Sequence, residues 1–115
     1  RFDCVSAPIE CCSPEQFQHL AGGKHGGFTV LNIANNHSLD MGLEGLLTTQ
    51  QTLQENGILA IGTNSKPDER DKGRIIERKG IKVGFVAATF GTNGRTLPEA
   101  EAYRVNVAKL CDKTP

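Results

Sequence analysis

The sequence predicts an α/β fold: a mixed sheet with flanking helices in a single domain spanning residues 1–115. Three observations lead there. An apolar run at 28–34, a helix-patterned stretch at 43–57 and a second apolar run at 58–62 form a strand–helix–strand unit, which demands two parallel strands. Two further strand-like runs, 74–79 and 81–90, meet tightly at Lys79-Gly80 and read as an antiparallel hairpin. The chain has 115 residues, enough for one core but not two.

The elements follow in order. Residues 1–12 carry no readable pattern. In "CSPEQFQHLAGG", Ser13 is a helix cap, Pro14 suits the first helical position and Gly22-Gly23 end the helix. "FTVLNIA", 28–34, is nearly continuous in apolar residues, as a strand covered on both faces would be. In "LEGLLTTQQTLQENG", Leu43, Leu46, Leu47 and Leu53 share a helical face that Gln50 interrupts, and Asn56-Gly57 stop it. "ILAIG" is a short buried strand, and "TNSKPDERDKG" a polar surface connection with room for one helical turn. "GTNGR" is a loop, 98–102 a helical turn, and "YRVNVAKL" either a strand or a helix start. The strands at 28–34 and 81–88 are expected to lie parallel in one sheet, with the polar loops after them sharing an edge.

Composition excludes several classes. Acidic and basic residues balance at 13 each, so there is no basic excess for nucleic-acid binding. No run approaches the roughly 18 apolar residues of a membrane span. The start, "RFDCVSAP", has neither a Met nor an apolar stretch and reads as a cut, by processing or from a longer chain. Cys4, Cys11, Cys12 and Cys111 show no metal-finger spacing; they read as free thiols of a reducing compartment, with two disulfides as the alternative. No G-x-G-x-x-G follows a strand, which leaves a dinucleotide-binding domain without support. A partial sheet exposes edges, so self-association through them is expected.

The chemistry concentrates in "NIANNHSLDMG", 32–42, between the first strand and the second helix. An Asn oxygen is a neutral, hard ligand for a divalent ion, and a His can ligate or hold a proton for a leaving group. The plainer reading is an Asn- and Asp-rich turn that caps the helix. Thr89, Thr92 and Asn93, in "TFGTNG", are candidates for the opposite wall of a cleft.

These segments resemble a known family. "NIANNHSLDMGLEGL" is similar to the "ANNHxxDxGxxGL" segment of the bacterial poly-γ-glutamate capsule-biosynthesis proteins, in the calcineurin-like metallophosphatase superfamily. "NGILAIGTN", "RIIERKGIKVGFVAAT", "TFGTNG" and "YRVN" continue the likeness, over about residues 12–107. The resemblance implies part of a metallophosphatase-like α/β sandwich. It implies Asn36 as a metal ligand, His37 as the catalytic residue and Asn35 as a supporting residue. Asp40 either orients His37 or caps the helix. The implied cofactor is a divalent metal (Mn, Fe or Mg) in the complete domain, the substrate an unknown small molecule or polymer, and the location the cell envelope. The departures are equally informative. The family domain is longer, opens with a Gly-Asp metal motif absent here, and closes with His-bearing segments, whereas no His follows His37. His19 and His25 match no family ligand and read as surface residues. Two functional expectations result: a metal-dependent hydrolase-type site completed in a longer parent, or a non-catalytic scaffold or polymer-handling subunit that has lost the metal centre.

Overall fold

The computed structural model describes residues 12–21 and 27–109. The Gly22-Gly23 stop, His25 and Cys4, Cys11 and Cys111 lie outside the described residues. Helix α1, Pro14–Ala21, begins as its sequence requires. Ser13 Oγ accepts the Gln16 backbone N–H at 3.2 Å, and Gln16 Oε1 accepts the Ser13 N–H at 3.1 Å, a reciprocal capping box. His19 is exposed on this helix. Cys12, just before it, is exposed and unbridged.

Strand β1, Val30–Asn32, helix α2, Gly42–Glu55, and strand β2, Leu59–Ile61, form the strand–helix–strand unit. β1 and β2 pair in parallel, Val30 opposite Leu59 and Asn32 opposite Ile61. The ladder extends through the Ile33 N–H to Ile61 O, at 3.0 Å. Leu46 and Leu53, seven positions apart on α2, are both buried; such a side chain contributes about 1.5–3 kcal/mol when fully withdrawn from water. Leu53 and Ile58 gather Phe17, Leu31 and Ala60, while Leu46 joins Ala34, Leu39 and Val105. Gln50, which interrupts the apolar face, donates from Nε2 to Thr63 Oγ1 at 3.0 Å and ties the helix to the end of β2.

Strands β3, Arg74–Arg78, and β4, Ile81–Phe85, make the hairpin, turning on left-handed Lys79 and Gly80. Here the expectation of a single sheet is corrected. β1 and β4 lie in separate two-stranded sheets, and among the described residues β4 pairs with β3 alone. The physical reason is locality: the two-residue turn closes β4 onto its nearest neighbour, and its other side is left open. On the faces of this hairpin Ile75, Ile81 and Val83 are exposed.

The two halves are joined instead by residues 104–108. Neither a regular strand nor a helix, this stretch follows a 3-10 turn, Glu99–Arg104. Asn64 N–H donates to Arg104 O, Asn106 N–H to Gly62 O and Thr89 N–H to Asn106 O, all at 2.9 Å. Isolated bridges, Thr63 to Val105 and Thr89 to Val107, flank them. Inside this clasp Asn64, 1% exposed, donates from Nδ2 to Tyr103 O at 2.7 Å and to Asn106 Oδ1 at 2.8 Å. The architecture is mixed α/β, and no described helix is long and apolar enough to cross a membrane.

Candidate functional site

The loop after β1 is folded by its own short polar side chains. Asn32 Oδ1 accepts the Ala34 N–H at 2.9 Å, Asn35 Oδ1 accepts the His37 N–H at 2.8 Å, and Ser38 Oγ donates to Ile33 O at 2.7 Å. These are the local bonds that Asn and Ser make in turns. Leu39, 5% exposed, anchors the loop in the core. With the turn built by Asn32, Asn35 and Ser38, the amide of Asn36 and the ring of His37 are spared for other partners.

The cap position of α2, Met41, makes no side-chain cap bond. The carboxylate of Asp40, just before it, faces His37, with Oδ2 2.7 Å from Nδ1. The Asp40 side chain is 3% exposed and the His37 side chain 23%, so the acid is sunk beneath a partly open imidazole. Opposite an ionised carboxylate, Nδ1 is the donor of this contact. The second carboxylate oxygen, Oδ1, lies 3.7 Å from Nε of Arg95.

Of the three residues expected across a cleft, Asn93 reaches the loop: Asn36 Nδ2 donates to Asn93 Oδ1 at 3.3 Å. Asn93 is held there by a tight turn, Thr92–Arg95. Asn93 and Gly94 have φ of 53° and 74°, and the Arg95 N–H donates to Thr92 O at 3.0 Å. Thr89 and Thr92 instead close their own loop: Thr89 Oγ1 donates to Gly91 O at 2.9 Å, and Thr92 Oγ1 to Arg95 O at 2.5 Å. The polar loops after β1 and β4 thus meet although their strands lie in separate sheets.

Among the described residues the donors do not amount to a divalent-metal site. Asn36 offers one neutral oxygen, His37 is engaged with Asp40, and Asp40 also faces Arg95. Among the described residues no three His, Cys, Asp or Glu side chains gather in one place. A paired-metal centre needs several anionic or imidazole ligands.

Arg95 is the member of this cluster that sequence reasoning missed; a single Arg after an Asn-Gly turn has no distinguishing pattern. Asn64 and Asn106 were missed likewise, since their partners are distant in sequence. A separate open cleft of about 370 Å³ lies between the clasp and the hairpin, bordered by Asn64, Arg70, Arg74, Phe85 and Asn106, and the loop 35–40 takes no part in it.

An amide, an imidazole and a buried carboxylate thus gather on the loop after the parallel strand β1 of this α/β chain. The chain belongs to the bacterial capsule synthesis protein family PGA_cap, whose family model matches residues 6–113. It is also similar to the uncharacterized proteins y4sH and y4uA of Sinorhizobium fredii (strain NBRC 101917 / NGR234). Each is 39% identical over 61 residues, a stretch covering 53% of this chain and 13% of the relative. No solved structure matches the chain.

Proposed function

We propose that this chain supplies the Asn36–His37–Asp40 arm of a metal-dependent, phosphoesterase-type hydrolase acting in bacterial capsule polymer synthesis, within a metallophosphatase-like α/β sandwich. The observation that carries the reading is the His37–Asp40 pair, a buried carboxylate 2.7 Å from Nδ1 of a partly exposed ring. Asp40 holds the ring in one orientation, and His37 gives or takes a proton at Nε2. Asn36, kept in place by Asn93, positions an oxygen ligand or a substrate oxygen beside it. A divalent metal (Mn, Fe or Mg) would need further ligands from outside the described residues.

A second reading has its own support. The lack of any three-ligand group among the described residues favours a scaffold or polymer-handling subunit without a metal centre. One experiment separates the two. The gene is deleted in its host, and capsule polymer is measured after complementation with the native gene, His37→Ala or His37→Gln. The hydrolase reading expects polymer to be lost with both variants while protein levels persist. Full polymer with either variant overturns it and leaves the scaffold reading.

A further inference from the structure

We infer that Arg95 is the anion-gripping residue of this site, presenting its guanidinium to a phosphate or carboxylate group seated beside His37. The inference rests on the reading of His37 as the residue that works on substrate.

Four observations converge. The base of the Arg95 side chain is pinned on both sides, its N–H donating to Thr92 O at 3.0 Å and its carbonyl accepting from Thr92 Oγ1 at 2.5 Å. The side chain is nonetheless 42% exposed, over a carboxylate that is 3% exposed. Its contact with Asp40, Nε to Oδ1 at 3.7 Å, is longer than a hydrogen bond. Among the described residues the Arg95 side chain donates no hydrogen bond. A guanidinium carries five N–H donors, and its terminal pair matches the two oxygens of a phosphate or carboxylate.

The position matters as much as the donors. Asp40 faces His37 with one oxygen and Arg95 with the other, so imidazole and guanidinium stand one carboxylate apart. An oxyanion accepting from Arg95 would sit on the same side of the loop as the His37–Asp40 pair. Repulsion from Asp40 is muted because the carboxylate is sunk and both its oxygens face cationic or donor groups. Other basic residues lack this arrangement. Lys72 is paired with Asp68 at 3.5 Å and Arg74 with Glu69 at 3.4 Å.

The test uses the 15N-labelled protein, titrated by NMR with inorganic phosphate and, separately, with acetate. The Arg95 guanidinium and His37 ring signals are followed in each series. Both sets of signals are expected to move together along one saturation curve. The anion that saturates first names the source, phosphoryl group or carboxyl group. Arg95→Ala should weaken binding by about tenfold or more, the least expected of a charge-assisted hydrogen bond. Arg95→Lys keeps a cation over Asp40 but not the planar fork, and should fall between. It also shows whether any loss reflects a loosened loop rather than a lost donor. The inference is overturned if neither anion moves these signals saturably, or if Arg95→Ala binds as native does. Binding is read without hydrolysis, so the outcome is independent of whether His37 variants fail in the capsule assay.

Discussion

Oδ2 of Asp40 lies 2.7 Å from Nδ1 of His37, the two residues being three positions apart on one loop. This spacing makes the pair local: it forms whenever the loop folds and needs no distant element. Replacing Asp40 with Asn keeps the shape but removes the charge and leaves a buried group imperfectly matched. A loss of about 1–3 kcal/mol is expected in urea denaturation, with a change in the His37 ring 15N shifts. Native stability together with native ring signals would remove Asp40 as the orienting group.

Gly62 carries the sharpest steric restriction near the site. Its φ is +87°, and a Cβ there would lie 2.4 Å from Ala34 Cβ and 2.9 Å from Asn32 Oδ1. Gly62→Ala should cost about 2 kcal/mol or more and displace the start of the 34–41 loop. A melting temperature equal to the native one would show that the backbone accommodates the methyl group without strain.

Asn64 holds the clasp. Truncation to Ala strips donors from Tyr103 O and Asn106 Oδ1 inside a site that is 1% exposed. The expected cost is about 1–3 kcal/mol in thermal or urea unfolding. An effect below the precision of the measurement would mean that the 104–108 stretch is held by its backbone bonds alone.

The ligand inventory predicts weak metal binding. Asn36 is neutral and Asp40 already serves two partners, so two divalent ions would meet too little negative charge to offset their mutual repulsion. Titration calorimetry of the 115-residue chain with Mn should give no submicromolar site. Two tightly bound ions would refute this arithmetic.

Self-association, if driven by the open hairpin, is proposed to use β4 rather than β3. Antiparallel pairing of β4 with a second copy about Val83 sets Ile81 against Phe85 and Lys82 against Gly84, with no like charges opposed. The same operation on β3 sets Arg74 against Arg78. Sedimentation should show a concentration-dependent dimer that Val83→Lys abolishes. A native chain that stays monomeric at every concentration refutes the proposal.

Local signals in the sequence were legible, and distant ones were not. The Ser13 cap, the α2 apolar face and the Lys79-Gly80 turn each depend on residues a few positions apart, and periodicity or capping chemistry reveals them. The stretch after Glu99–Arg104 was unreadable because Val105 and Val107 pair through single bridges to Thr63 and Thr89, which leave no repeating pattern. The placement of β4 in its own sheet was missed because strand patterning does not say which edges pair. At the site, Asn36 and His37 were singled out by resemblance and by crowding. The contact of Asp40 with His37 needed coordinates, since a helix cap would place a carboxylate at the same position in sequence.

The clasp also sets an order of assembly. Asn64 meets Tyr103 and Asn106 across 39 and 42 positions, and Asn36 meets Asn93 across 57, whereas His37 and Asp40 are three apart. Contacts of long sequence separation close large loops and form late. A chain emerging from the ribosome can therefore hold its imidazole–carboxylate pair while the wall opposite is still unmade. Completion of the site is then expected to follow the closing of the 104–108 clasp.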